Sequence, residues 1–322
     1  KAEELGYTGA NKSRVIDVYK FAALNFATNY RVFTYDNPWG NSRTSYFHKN
    51  LGGYHGAKLR NIQNLFEFQL AQSNNKVFDM LNVKYFIQGE SIRNNPTTLG
   101  QAWLVKNIKV VDSPNDEIRA LGASFEIRNS GKGNLVVNDE IVSKAKVYGQ
   151  EDIIYVAGVD TLDVPFTNGI SKGMEIAFVS DVNGVTNLVP KSTLEADTSN
   201  SFITLVSMTC LDVFEPSVDA VMLKSEADKL SSKSYTGEGS VVMKSYKPNE
   251  MKYAVSTGKK QYVVFSEIYY PSGWKAFVDG KEVEIRKVDY LLRGVEVEAG
   301  NHEVVMKFDI PKLERSNMFA VA

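Results

Sequence analysis

The chain has 322 residues, 43% hydrophobic and 23% charged, a composition that builds a packed core and excludes wholesale disorder. With 37 basic against 38 acidic residues the net charge is -1, so no cationic excess is present to displace counterions from a phosphate backbone, and nucleic acid is excluded as a partner. One cysteine, Cys210, rules out an internal disulfide and a thiolate-rich metal centre.

The length suggests two or three domains. From Asn11 to about Leu121 helical and strand patterns alternate. "SRVIDVYKFAALNF" carries Val15, Val18, Ala22 and Leu24 on a helical stripe, and "YRVFTY" follows as a strand. "GAKLRNIQNLFEFQLA" returns to helical spacing through Leu59, Ile62, Leu65, Phe66 and Leu70; "VKYFIQ", "AWLVK" and "IKVV" read as strands. In "DSPNDEIRAL", Ser113 is placed to cap a helix, Pro114 takes its first position and acids fill the first turn. Residues 1–123 are thus expected to form an α/β domain.

Residues 124–214 lose the helical spacing. "DIIYV", "MEIAFV" and "FITLVSM" read as short strands, punctuated by Asn168-Gly169 and Asn183-Gly184, pairs that supply the positive φ of hairpin turns. An inserted all-β module is expected. Residues 215–322 alternate apolar and polar through "SVVMKSY", "MKYAVS", "QYVVFSE", "WKAFVD", "KEVEIR", "LRGVEVE" and "HEVVMKF", the pattern of an antiparallel sandwich. The whole reads as an α+β chain. Asp279-Gly280 is the clearest hairpin turn. In "YYPSGWKAFVDGKEVEI", Trp274, Ala276 and Val278 share a face, and Trp274 is expected to lie largely buried in the core.

The order of these short motifs is specific. "FSEIYYPSGWKAFVDGKEVEI" with "LLRGVEVEAGNHEVVMKF", and "SYKPNEMKY" before them, resemble the YfhO family of bacterial multi-spanning membrane proteins. "TSYFHKNLGGYHGAKLRNIQNLFEFQL", "VFDMLNVKYFI" and "LGQAWLV" resemble the same family, whereas residues 124–214 do not. The resemblance implies the extracytoplasmic domain of a membrane glycosyltransferase-like protein, acting on lipid-linked sugars and cell-envelope polymers. It also implies that the chemistry lies in membrane-proximal loops elsewhere, so this part is expected to be non-catalytic. The closing "MFAVA" is then expected to open a membrane helix; no longer apolar run approaches the roughly 20 residues needed to span a bilayer.

The residues themselves agree that chemistry is absent. His48 and His55 bracket "KNLGGY" below Asp36, but His302 is distant, which is too few ligands for zinc; no metal and no cofactor are expected. No Gly-x-Ser-x-Gly elbow occurs. Glu282 and Glu284 read as a solvated face, and Glu267 as a hydrogen-bond partner for a turn backbone. What remains is the connection "YDNPWGNSRTSYFHKNLGGYHGAK". A connection of this length is often functional. Sugars are bound by aromatic faces against C–H surfaces and by amide, imidazole and guanidinium groups on hydroxyls. Asn37, Trp39, Arg43, Tyr46, His48, Tyr54 and His55 supply that chemistry, with Gly52 and Gly53 permitting close backbone approach. The competing reading is a loop folded onto its own domain. A secreted carbohydrate-binding protein is the alternative function, and a glycoside hydrolase a third, disfavoured because no carboxylate pair stands out.

Overall fold

A computed structural model of the chain describes residues 29–40, 44–45, 48–54, 56, 58–89, 91–128, 143–145, 153–155, 161–164, 168–181, 186–190 and 202–309. The helix expected over "SRVIDVYKFAALNF", the Asn183-Gly184 turn and "MFAVA" lie outside these residues. The described chain is mostly β, with several sheets and few helices. It falls into two compact units, one drawn from Lys1–Ile62, Phe78–Val110 and Pro216–Ala322, the other from Gln63–Val77 and Val111–Glu215.

In the first unit, β1 (Arg31–Thr34) pairs parallel with β2 (Val83–Gln88), and β2 pairs antiparallel with β3 (Ser91–Asn94). Phe33 and Phe86 of this sheet meet Phe78 at 4.9 and 5.0 Å between ring centroids, an aromatic cluster that fixes β1 over β2. The polar residues of the "VFDMLNVKYFI" stretch hold its backbone. Buried Asp79 accepts hydrogen bonds from Asn95 Nδ2 and Thr97 Oγ1, both at 2.8 Å. Asn82, at φ 54°, donates from Nδ2 to the Asn29 carbonyl.

The second unit begins within the expected helix at residues 56–71. The α-helix α1 (Arg60–Leu65) gives way to a π-turn at Phe66–Leu70, where Ala71 N donates to the Phe66 carbonyl. The wider turn changes which side chains face inward, so Gln69 is buried and Phe68 is 58% exposed. Gln69 Nε2 donates to the Ile118 carbonyl, and Asn74 Nδ2 to Gln69 Oε1 and the Leu121 carbonyl. This amide network lies beside the apolar stripe read from the sequence, of which Leu65 and Leu70 are buried. Further along the chain α2 (Asn75–Met80) leads back into the first unit, which holds β4 (Ala102–Val105) and nearly all of β5 (Asn107–Val111), and α3 (Pro114–Arg119) lies in the second. As expected, Ser113 caps α3 by accepting from Asp116 N, with Pro114 at its start and Asp116 and Glu117 in its first turn.

Residues 123–213 hold a five-stranded sheet in the order β11-β10-β12-β6-β9: β6 (Ala123–Arg128), β9 (Thr161–Val164), β10 (Glu175–Asp181), β11 (Thr186–Pro190) and β12 (Phe202–Val213). A separate pair joins β7 (Ser143–Ala145) to β8 (Ile153–Tyr155). β10 and β11 are antiparallel. Asn168-Gly169 forms a turn, with Gly169 at φ 73°.

The chain returns to the first unit through β13 (Asp219–Leu223), which joins β5, and a short α4 (Lys224–Ala227). The sandwich follows: β14 (Ser240–Lys247), β15 (Glu250–Thr257), β16 (Gln261–Ile268), β17 (Trp274–Val278), β18 (Lys281–Val283), β19 (Arg286–Val288), β20 (Leu292–Val297) and β21 (Gly300–Phe308). One sheet runs β14-β15-β21-β17-β18 and the other β19-β20-β16-β4. The last strand, from "AWLVK", pairs antiparallel with β16 through Trp103↔Val264, so a strand read with the N-terminal region completes the sandwich. Met251, Tyr253 and Val255 from one sheet and Val263, Phe265, Val295 and Val297 from the other form the core. Each fully buried large side chain there is worth about 1.5–3 kcal/mol.

Asp279 and Gly280, at φ 51° and 81°, close the β17–β18 hairpin, as their sequence requires. Trp274 packs against the core but stays half-buried at its margin. Its position depends on Gly273: at φ 87° this residue takes a conformation that L side chains avoid, and a Cβ would lie 2.7 Å from the Phe308 ring. Phe308 thereby reaches Trp274 at 5.2 Å between centroids.

Candidate functional site

The loop between β1 and α1 is partly tied down. Leu51 N donates to the Val32 carbonyl and Val32 N to the Lys49 carbonyl, so residues 49–51 lie along β1. Gly53, at φ 107°, donates to the Pro38 carbonyl at 2.6 Å; a Cβ on Gly52 would lie 2.1 Å from the same oxygen. The paired glycines therefore serve close backbone approach, as the sequence suggested. Asn37, at φ 50°, accepts from Gly40 N on Oδ1, and Asp36 accepts from Gly89 N.

Among the sequence-predicted residues, Trp39 is half-buried beneath Lys58, whose Nζ lies 3.3 Å from the ring centroid. His48 is half-buried, and burial lowers its pKa. Tyr54 is 76% exposed. Arg43, Tyr46 and His55 lie outside the described residues. The loop thus combines an anchored backbone with an outward tyrosine and a cation-capped tryptophan.

A second constellation lies where this loop's Lys49 approaches the sandwich. Arg31, the first residue of β1, donates through Nη1 to the Leu81 carbonyl and Ser266 Oγ, and its Nη2 lies 3.8 Å from Glu267 Oε2. The partner of Glu267 is therefore a guanidinium and not the turn backbone expected of it. Lys49 donates to Asn29 Oδ1 and holds its ammonium 3.3 Å from the centroid of the Tyr246 ring. Lys49 is exposed as a residue, yet desolvation outweighs the pull of Glu267 and brings its pKa down to about 8.

Arg293 is the third cation. It continues the inward row of Val295 and Val297 along β20 and is 3% exposed. Its Nε donates to the Ile268 carbonyl at 3.0 Å, Nη1 meets Met306 Sδ at 3.7 Å, and the guanidinium lies 4.1 Å from the Trp274 ring centroid. Desolvation brings its pKa down to about 10, opposed by the charge of Glu267. Sequence reasoning found Trp274 and Glu267 but not the three cations. Arg293 carried the signal available: a basic residue in register with buried valines in "LLRGVEVE".

No group of three or more His, Cys, Asp or Glu side chains placed to hold a metal occurs among the described residues. His302, the third histidine, bonds through Nδ1 to Asp279 Oδ2 at 2.6 Å beside the β17–β18 turn. Among the described residues no helix is long and apolar enough to cross a membrane. Comparison with curated proteins and with solved structures found no match. Residues 217–316, which hold β13 to β21, match the family model described as bacterial membrane protein YfhO, and so this stretch carries the family resemblance read from its Tyr-Tyr-Pro-Ser-Gly-Trp turn and Asp-Gly hairpin.

Proposed function

We propose that the chain is an extracytoplasmic, non-catalytic domain of a membrane glycosyltransferase-like protein, and that its loop 36–58 recognises a lipid-linked sugar or an envelope glycan. The observation that carries the membrane setting is the match of residues 217–316 to a bacterial membrane protein family. The loop supports the glycan reading by its surface chemistry. Tyr54 stands 76% exposed, where a purely connecting loop favours small polar residues. Trp39 has a face engaged by a cation, and Asn37 stands two positions before it in the chain. Such groups bind sugars by stacking on C–H faces and by hydrogen bonds to hydroxyls, contacts that are individually weak, so free sugars bind poorly to the isolated chain.

The domains proposed are residues 1–123, 124–214 and 215–322, with the recognition loop in the first. The test is sugar transfer to envelope polymers in cells whose full-length protein carries Trp39→Ala or His55→Ala at normal abundance. The expected result is loss of transfer in both variants. Retained transfer in both assigns the loop a structural role alone and removes the glycan reading.

A further inference from the structure

We propose that the two turns bracketing the end of β21, residues 246–250 and 270–273, form the face by which the sandwich rests on a lipid surface bearing anionic head groups. The inference rests on the membrane setting of residues 217–316 and does not need the glycan reading. Backbone bonds define the face. Phe308 N donates to the Asn249 carbonyl at 2.9 Å and Asp309 N to the Gly273 carbonyl at 2.7 Å, so the last rung of β21 is held between the two turns. The family match runs on past Asp309 to residue 316, and so the matched stretch leaves the sandwich at this end.

Each turn couples a proline to an exposed tyrosine. Tyr270, directly before Pro271, is 44% exposed; Tyr246, two residues before Pro248, is 40% exposed although Lys49 caps its ring. Solvated turns favour small polar residues, whereas tyrosine, apolar in its ring and polar at its tip, suits a membrane–water boundary. Beside the second turn, Trp274 and Phe308 pack ring to ring at 5.2 Å and stay half-buried. Strand register adds the charge. Lys247 pairs with Glu250, Glu250 with Lys307 and Lys307 with Lys275. Residues paired across antiparallel strands point to one side, so three exposed lysines share a row with one glutamate. Glu250 meets Lys307 at 3.5 Å and Lys252 at 3.9 Å, and Glu282 meets Lys275 at 3.4 Å. Such solvent-screened surface pairs contribute little, which leaves the ammonium groups available to phosphate head groups. A lysine close to an anionic lipid surface strengthens binding roughly fivefold.

The experiment sediments the 322-residue chain with phosphatidylglycerol vesicles and with phosphatidylcholine vesicles at low salt. Wild type is compared with Tyr270→Ser and with a triple variant, Lys247→Gln, Lys275→Gln and Lys307→Gln. A charge-matched control carries Lys259→Gln, Lys260→Gln and Lys281→Gln at the opposite end of the strands. Circular dichroism checks the folding of each. The expected result is binding to phosphatidylglycerol over phosphatidylcholine, weakened about a hundredfold in the first triple, weakened in Tyr270→Ser and retained in the control. Binding of phosphatidylglycerol vesicles with equal losses in the two triples keeps the membrane setting and overturns this face. No binding to those vesicles, or binding unchanged in the first triple or in Tyr270→Ser, overturns it as well. Self-association lost in the first triple, without vesicle binding, gives the face to a second copy and also overturns the proposal.

Discussion

The sandwich and the loop 36–58 are both rich in aromatic residues beside glycines, yet they spend that pairing differently. In the sandwich two glycines make room for rings: Gly273 lies under the half-buried Phe308, and a Cβ on Gly294 would meet the Tyr262 hydroxyl oxygen at 2.1 Å. In the loop the glycines approach backbone and a serine, while Tyr54 is left in solvent. The same composition therefore encodes packing in one region and leaves an aromatic surface in the other. What separates them is whether a ring fills the space that the missing Cβ vacates.

The comparison is broken most directly at Gly294. Tyr262 is fully buried and cannot swing away, so Gly294→Ala is expected to destabilise the protein by about 3 kcal/mol, the upper range for overpacking a tight core. Chemical denaturation measures this. Adding Tyr262→Leu removes the ring and its hydroxyl, and the double variant should recover part of the loss. If Gly294→Ala is as stable as wild type, the ring does not hold its place and the close-packing account fails.

Gly273→Ala comes next. An alanine at φ 87° carries a backbone penalty, and its Cβ presses the edge of the Phe308 ring, together about 2 kcal/mol. Because Phe308 supports Trp274, tryptophan emission should shift along with stability. A loss of stability with an unmoved spectrum would separate the turn from the placement of Trp274.

Alternation and turn chemistry made the C-terminal strands legible: the Asp279-Gly280 hairpin and the buried faces of β15 and β20 follow from their own residues. The α3 cap was equally local. What escaped is long-range. The pairing of β4 with β16 joins residues far apart in the chain, and no local pattern in "AWLVK" names its neighbour. The π-turn at Phe66–Leu70 turned Gln69 inward because its partners Ile118 and Asn74 satisfy the amide, a fact absent from the helical stripe. Trp274 was expected deeper than it lies, because Arg293 shares the end of the core with it. In the loop, composition pointed to Trp39 and Tyr54, but the placement of Lys49 over the Tyr246 ring required the fold.

The smallest expected effect contrasts two histidines, one from each region, with opposite signs. His302 has a raised pKa, first through its hydrogen bond to Asp279, and Asp279 a lowered one, first through the same bond. Between 3.8 and 6.5, the ordinary values of the two groups, both are charged in the folded protein. The contribution of His302 is fully present below 6.5 and is lost as pH rises through its folded value; that of Asp279 is lost as pH falls below 3.8. Solvent screening at this exposed turn holds the pair to the scale of a surface ion pair, about 0.2–1 kcal/mol. His48 runs the other way: burial lowers its pKa, so its neutral form is favoured and its contribution is lost as pH falls below 6.5. The measurement is Tm between pH 5 and 9 for wild type, His302→Gln and His48→Gln. The His302→Gln deficit should be largest near pH 5 and fade toward pH 9, while His48→Gln should narrow its gap to wild type as the solution turns acid. Parallel curves for both variants would mean that neither histidine couples folding to protonation, and that the difference between an ion-paired turn and a buried loop has no electrostatic consequence.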